Sequence, residues 1–538
     1  MAVLVRNKFA AYAIRFFRRI IELISRFFLI LKHCGRRKKL ADITDPVLLE
    51  SATSLANKIR TGEVKSSDVI KSYISRIQAV QPLINAYVDE RFEEAFEDAK
   101  KVDELVSSGL KTVEEMERDT PFLGVPFSAK EAVSVKGLFA TGGAVFRKGA
   151  KAEADCDVVQ LFREAGAIPL VVTNTSEMCL WWETYNKLHG KTKNPYDTTR
   201  TPGGSSGGES SLLTAAASVI GIGTDLGGSI RIPALFSGIF GHKPSRGAVS
   251  NGNQYPVVKE AVRQMIGTGP MCRYAIDLLP MMKIMTSDKK DLLKLDDPVN
   301  VKKLRVFYME DDGGYPFRTP VSRGIKKALR KAVNHFEDIC EQAPQKIFKE
   351  KLQDAVETWV CVIETLNDQQ LCNEIVGYQK KLNLSKEVLK SMAGKSKHTF
   401  PIICLAILDR YIRKYDSKLA EPFFKMRDEL LQEFNELLGD DGIFLYPTYP
   451  VTAPYHMEML FRPFNIGYSV IFNILGLPVT QCPLGMSSKG LPLGIQVIGG
   501  MNRDSLTIAA ARELEKAFGG WISPCDIRKS SIKLTEIV

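Results

Sequence analysis

The sequence is short of the groups on which many hydrolases and cofactor enzymes are built. Its six histidines, His33, His189, His242, His335, His398 and His456, stand in no recognisable nucleophile motif. An activated hydroxyl needs a base, and nothing in the sequence reserves histidine for that role in this chain. No H-E-x-x-H occurs, and the ten cysteines are scattered without C-x-x-C or metal-ligand spacing. That pattern implies no metal, and for a chain of this length it suits free thiols in a reducing compartment. Neither G-x-x-x-x-G-K-[ST] nor G-x-G-x-x-G is present, which removes phosphate cradling as the use of the glycines. No cofactor is implied. Internal repeats, low-complexity tracts and paired-carboxylate patterns are also missing.

Acidic charge is nearly absent from the first 40 residues. They hold eleven basic side chains against Glu22 alone, a net +10 of the chain's formal +11. The remainder is close to neutral, so the basic balance is no argument for nucleic-acid binding. Within this leader no apolar run of membrane-spanning length is free of charge. Arg15, Arg18, Arg19, Glu22 and Arg26 fall within about 60° of one line on a helix, and Ile14, Phe16, Phe17, Ile20, Ile21, Leu23, Ile24, Phe27 and Phe28 occupy the rest. Spanning a bilayer would gain about 4 to 7 kcal/mol from the apolar residues and cost about 7 to 10 for three central charges. Residues 1–40 are thus expected to be a basic amphipathic helix lying in a membrane interface, with Arg36, Arg37, Lys38 and Lys39 attracted to anionic headgroups. A helix docked on the body or on a partner is the competing expectation. The arginines and the lack of an A-x-A-like site argue against a cleaved signal peptide.

What the chain has in abundance is glycine and serine between residues 201 and 241. Gly203-Gly204-Ser205-Ser206-Gly207-Gly208 precedes a small-residue helix expected over Ser210–Val219, and Gly227-Gly228-Ser229 follows the apolar run Val219–Thr224. Glycine permits positive φ and close backbone approach, so such clusters beside hydroxyls aim peptide N–H groups at a ligand. An oxyanion hole is the chemistry this suits, each donor being worth on the order of a hundredfold in rate. Ser205 and Ser229 compete for the role of nucleophile. Gly203-x-Ser205-x-Gly207 also satisfies the G-x-S-x-G elbow, but the polar, turn-rich KTKNPYDTTRTP before it is not the strand that elbow requires. For Ser229 the plain structural alternative is a helix N-cap. The candidate base is Lys130, at the end of the proline-bounded apolar run PFLGVPFSAK, where burial would depress its pKa.

The three segments GVPFSAKE, GGSSGGES and GTDLGGSIRIP, in this order and spacing, resemble the amidase signature family, whose members hydrolyse amides with a Ser-Ser-Lys triad. The resemblance implies Ser229 as the acyl-forming nucleophile, Ser205 as a bridging serine after a cis peptide at Gly204, and Lys130 as the base. It implies an oxyanion hole from the backbone of Leu226, Gly227, Gly228 and Ser229. It also implies an α/β fold in which a large mixed, twisted sheet is covered by helices on both faces, with one catalytic domain over 41–538. From about residue 40, NPYD, GIFGHKPS, TGPMCRYA, GDDGIFLYP and GLPVTQCPLG are similar to the fatty-acid amide hydrolase branch in its type-2 form. That likeness implies a lipid amide substrate and a membrane surface as partners, no nucleic acid, and a catalytic domain on the cytosolic face of the endoplasmic reticulum or a lipid droplet. Homodimerisation is left open. The arginine-studded leader departs from the membrane-spanning helix usual in that branch. Two rival functions stand beside this one: an amidase of soluble amides or a tRNA-dependent amidotransferase-like subunit, and a catalytically inactive membrane-bound binding protein.

In chain order, helices are expected over Leu48–Arg60, over Asp68–Val80 with Ser67 as cap and Pro82 as stop, and over Arg91–Ser107. Strands are expected at Phe122–Phe127 and Ile168–Thr173 around a helix near Asp157–Ala165, and again at Gly442–Tyr446 and Leu493–Ile498. Trp181, Trp182 and Tyr185 form an aromatic cluster, read either as an acyl pocket or as core. Residues 280–440 are helical, and by resemblance they shape substrate choice. Their apolar run Phe400–Leu408 is either a buried helix or an entry for a lipid chain. Ile466–Leu475 is an apolar helix too interrupted to span a bilayer.

Overall fold

Apolar runs closed by glycine, proline or a charge become the strands of one eleven-stranded sheet. In chain order these are β1 (Tyr87–Glu90), β2 (Pro126–Lys130), β3 (Ile168–Thr173), β4 (Ile220–Asp225), β5 (Phe240–Lys243), β6 (Gly267–Cys272), β7 (Arg305–Tyr308), β8 (Gln345–Lys346), β9 (Gly442–Tyr446), β10 (Val479–Met486) and β11 (Pro492–Gly499). Across the sheet they lie β1-β3-β2-β4-β6-β5-β10-β11-β9-β7-β8. Two parallel ladders, β3-β2-β4 and β9-β7-β8, flank an antiparallel centre. The computed structural model describes residues 8–286, 289, 291–367, 369–378, 382–412 and 420–528. The first seven residues of the expected leader and the last ten of the chain lie outside them.

The period of two along each strand divides its side chains between two cores. Ile443 and Leu445 of β9 join Phe127, Val172 and Ile495 on one face, whereas Phe444 and Tyr446 join Phe236, Phe434 and Phe472 on the other. With both faces apolar, helices must cover both, and the mixed, helix-covered sheet expected from the sequence is the fold observed.

Several boundaries move. The strand expected at Phe122–Phe127 begins only at Pro126, a residue tolerated at a strand's first position, and runs on to Lys130. The helix expected from Asp68 spans Ser66–Ile84 and contains Pro82 near its end. Ser67 is not its cap; the Asp103 carboxylate accepts the Ser66 and Ser67 backbone N–H groups instead. Residues 280–440 are mostly helical, yet they also supply β7 and β8 to the main sheet.

The leader is a 26-residue helix, α1 (Lys8–His33). Its charged stripe faces the protein. Arg15 and Arg18 donate to the carbonyls of Gly314 and Pro316, and Glu22 accepts from Arg18 and Thr319. Phe16, Phe17, Leu23, Ile24, Phe27 and Phe28 are each more than half exposed. No helix among the described residues is long and apolar enough to cross a membrane.

Candidate active site

β2 and β4 are parallel neighbours, registered Phe127 with Ile220 and Ala129 with Ile222, so their carboxyl ends open on the same side. Those ends carry Lys130 and Asp225. Ligands gather at the carboxyl ends of parallel strands because the loops there are free to vary. Here the loops are the two glycine-serine clusters.

Lys130 is fully buried, and its Nζ lies 2.7 Å from Ser205 Oγ and 2.7 Å from Thr224 Oγ1. Burial lowers its pKa, and the nearby Asp225 carboxylate offsets this only in part. A neutral amine fits both contacts, donating to Thr224 and accepting from Ser205. Ser205 follows a cis peptide at Gly204, and its carbonyl accepts from Thr175 and Thr184 hydroxyls. The helix after it, α2 (Gly207–Thr214), starts inside the glycine cluster, three residues earlier than the sequence suggests. Gly208 explains why. A Cβ there would sit 2.5 Å from the Asn174 carbonyl and 2.7 Å from that of Ala86, so only glycine lets this helix settle against β3 and β1.

The second cluster is organised by Asp225. Its Oδ1 accepts from the Gly228 N–H at 2.6 Å and from Asn473, and its Oδ2 accepts from the Ile230 N–H at 3.0 Å. Arg231, the first residue of α3 (Arg231–Ser237), donates through Nε and Nη2 at 3.0 Å each. Burial alone would raise the Asp225 pKa, but Arg231, Asn473 and the backbone donors outweigh it and hold the carboxyl well below its usual range. The residues between are pinned from the other side. Trp182 donates its indole N–H to the Gly227 carbonyl at 2.8 Å and Trp359 donates to the Leu226 carbonyl at 2.9 Å. Gly228 has φ +98°, and a Cβ there would meet Ile232 Cδ1 at 2.7 Å.

Four peptide N–H groups were expected in the oxyanion hole. Because Asp225 takes the Gly228 N–H, three remain, those of Leu226, Gly227 and Ser229, which have no partner among the described residues. Ser229 does not cap the helix that follows; α3 has no side-chain cap. Its carbonyl accepts from the Ser206 N–H at 3.2 Å, which ties the two glycine loops together.

Ser205, Thr224, Leu226 and Ser229 line one end of a cavity of ≈ 370 Å³ whose other walls include Met178, Leu180, Val262, Trp359 and Ile363. α4 (Ala355–Leu366) brings Trp359 and Ile363, and α5 (Phe400–Ile412) brings Leu405 and Leu408. The run Phe400–Leu408 is thus the buried helix of the two expectations, with Ile402, Ile403 and Ala406 in a small core with Leu371 and Leu384 and with Leu405 and Leu408 on the cavity wall. Trp182 belongs to the core with Phe236 and Phe472 and braces the glycine loop rather than lining the cavity.

A buried carboxyl lies behind the lysine. Glu209 on α2 is raised to about 8 by burial, with bonds to Ser128 Oγ at 2.6 Å and Thr173 Oγ1 at 2.9 Å. Proton counting agrees with a neutral acid. Ser218 gives its hydrogen to the Ile220 carbonyl, Ser128 gives its own to Ser218, and so Glu209 must donate to Ser128.

Thr224, Glu209, Trp359 and Asn473 were not singled out from the sequence. Thr224 sits inside the quoted GTDLGGS, where a hydroxyl closing an apolar run was the available sign. Trp359 and Asn473 come from distant segments whose helical periodicity gives no hint of the loop they hold. Among the described residues no group of His, Cys, Asp and Glu is arranged to hold a metal ion.

The amidase family profile matches residues 68–508. Fatty-acid amide hydrolase 2-B of Danio rerio is 45% identical over 494 residues, covering 91% of this chain and 93% of that protein. Fatty-acid amide hydrolase 2 of Homo sapiens is 44% identical over 487 residues, covering 90% and 91%. Among solved structures, a fatty acid amide hydrolase superposes with a TM-score of 0.69 at 22% identity, covering 89% of this chain and 86% of that one. The sheet and its helical cover are thus shared with that solved structure, and the family profile together with these relatives shows that the chain belongs to the amidase family.

Proposed function

We propose that this chain is a serine hydrolase of fatty-acid amides acting at a membrane surface. The observation that carries the reading is the apolar cavity ending on two serines beside a desolvated lysine. Neutral Lys130 takes the Ser205 proton as Ser205 takes that of Ser229, and Ser229 attacks the amide carbonyl. The developing oxyanion is held by the N–H groups of Leu226, Gly227 and Ser229, fixed in advance by the two tryptophans and Asp225. The proton returns through Ser205 to the leaving amine, and water releases the fatty acid from the acyl-enzyme. A long acyl chain fits the walls given by Met178, Leu180, Ile363 and Leu405. The printed names of the relatives support the substrate class.

The membrane side of the reading rests on α1, whose aromatic and aliphatic residues face away from the body while its charges hold it there. A bilayer interface is the environment such a face suits. All ten cysteines are free, in keeping with a reducing compartment such as the cytosolic face of an internal membrane or lipid droplet.

Fluorophosphonate labelling followed by intact-mass measurement tests the chemistry on wild type, Ser229→Ala and Lys130→Ala, each with and without a long-chain fatty amide. Loss of label in both variants and competition by the amide are the expected results. Label surviving Ser229→Ala would assign the wrong serine, and label indifferent to the lipid would leave an amidase of soluble substrates. Activity should rise with pH through the depressed Lys130 pKa, because only the neutral amine is a base; a profile flat from neutral to alkaline pH with chemistry rate-limiting would contradict it. Flotation with vesicles, for wild type and a chain lacking residues 1–40, tests the membrane. Self-association through α1 would appear instead as an oligomer that the truncation dissolves.

A further inference from the structure

The carboxyl-terminal end of α1 meets the body in a cluster of cations. Lys32, His33 and Arg36 come from the helix and the residues after it, Lys191 comes from the second strand of a small hairpin at 185–191, and Lys193 lies two residues beyond it. The two sides are held in register by rings. His33 stacks on Tyr455 at 5.7 Å and lies 6.2 Å from the ring of His456, and the Arg200 guanidinium covers Tyr455 at 4.1 Å. Lys191 and Lys193 are partly buried.

Charge is left over here. Lys32 and Arg36, which are exposed, and Lys191 and Lys193, which are partly buried, make no ion pair among the described residues. The one carboxylate in the cluster, Glu183, is buried and already accepts from His456 Nδ1 at 2.7 Å and from the Met457 N–H at 2.9 Å. His33 registers the surplus. Its pKa is pushed down to about 4 by burial and then by His456, Lys191, Lys32 and Arg36 around it. His456 is 3% exposed, and its Nε2 has no hydrogen-bond partner. By contrast, the neighbouring basic run expected to meet headgroups is partly used up within the protein. Arg37 donates to the Tyr196 carbonyl and Lys39 pairs with Asp526.

We propose that this cluster binds the phosphate of an anionic phospholipid headgroup. Lys32 and Arg36 on one side and Lys191 and Lys193 on the other lie close enough for their charges to act on the stacked His33 and on His456, and such a set suits an oxyanion with several acceptor oxygens. An anion among them would also relieve the penalty that keeps both imidazoles neutral, turning the bare His456 Nε2 into a donor. A lipid is the source rather than free phosphate because Phe27, Phe28 and Leu31, each more than half exposed, lie on the same end of α1. The proposal rests on the membrane reading above and adds to it a headgroup class and a place on the catalytic body.

The test uses the full chain and sedimentation with phosphatidylcholine vesicles, pure or doped with phosphatidic acid. Doping should tighten wild-type binding, and Lys191→Gln/Lys193→Gln should remove most of that gain, about fivefold per cation, while leaving binding to pure phosphatidylcholine unchanged. Lys100→Gln/Lys101→Gln, on the helix Phe92–Ser108, lowers net charge equally and should keep the gain. A gain that survives in the first variant, or is lost equally in the second, overturns the site. Inorganic phosphate at fixed ionic strength should cancel the gain only at concentrations far above that of the phosphatidic acid; cancellation at equal concentration would make free phosphate, not a lipid, the occupant. Wild type that sediments with neither vesicle overturns the membrane reading itself. Turnover of a short soluble substrate by each variant checks folding.

Discussion

Asp225→Asn is the sharpest perturbation available to this site. The carboxylate accepts from the Arg231 guanidinium twice, from Asn473 and from the backbone of Gly228 and Ile230. An amide keeps one acceptor oxygen and turns an N–H₂ toward at least two donors, whichever way it is placed. Arg231 has no exposed surface, so the variant leaves a buried guanidinium without its counter-charge. Breaking such a pair costs about 3 to 5 kcal/mol, and a stranded backbone N–H adds about 1 to 3, the two not being strictly additive. The turn Leu226–Ser229 also loses its anchor, so kcat should fall by roughly a hundredfold or more, the worth of one misplaced oxyanion donor. The sign with pH is definite. A carboxyl whose folded pKa lies below its unfolded value contributes stability above about pH 4 and loses it only as pH falls through the depressed folded value. The penalty should therefore be constant from pH 5 to 9. Thermal unfolding and single-turnover kinetics on wild type, Asp225→Asn and Asp225→Asn/Arg231→Met measure it. The double variant should regain part of the lost stability by removing the unpaired charge. A single variant with an unchanged melting temperature and kcat within about threefold of wild type would refute the assignment of Asp225 as the anchor of this turn.

Two further predictions concern groups behind the site. Glu209→Gln keeps one donor for Ser128 and one acceptor for Thr173, so if Glu209 is neutral the acid limb of the pH–rate profile should move by less than about 0.3 unit. If it carried a charge, losing it would shift that limb down by about a unit or more, equivalent to about 1.4 kcal/mol on Lys130. Trp359→Phe removes the donor to the Leu226 carbonyl while keeping an aromatic cavity wall. One hydrogen bond of about 1 kcal/mol predicts a fall in kcat of about fivefold, larger than the change in KM; an unchanged kcat would free Trp359 from that role.

Much of the chemistry was legible because it is local in sequence. Gly227-Gly228-Ser229 must turn where β4 ends, and Lys130 must be dry at the end of a proline-bounded apolar run. Both features follow from a few consecutive residues. Two of the groups that hold these segments still were not legible, since Trp359 and Asn473 reach the turn from helices 133 and 248 residues further along the chain and nothing in one segment states which residue of another it will touch. Even the expected role of Gly228 as a donor illustrates this, because its N–H is claimed by a side chain three residues earlier whose orientation is set by Arg231. The leader shows the complementary case. Its periodicity gave the helix and its two faces, but the face that turned inward is the charged one, a result fixed by carbonyls at Gly314 and Pro316 and a hydroxyl at Thr319.

That docking has a consequence for the order of synthesis. The carbonyl that receives Arg15 is 299 residues further along the chain, and Tyr455, on which His33 stacks, comes later still. At about 5 to 20 residues per second, roughly 15 to 60 s pass between the synthesis of Arg15 and that of the carbonyl it is bonded to. Throughout that interval the helix has neither the body to receive its charges nor a fold to restrain its aromatic face. On the membrane reading proposed above, a nascent chain in that state would meet a lipid surface before its own body, and tethering there would precede the folding of everything downstream.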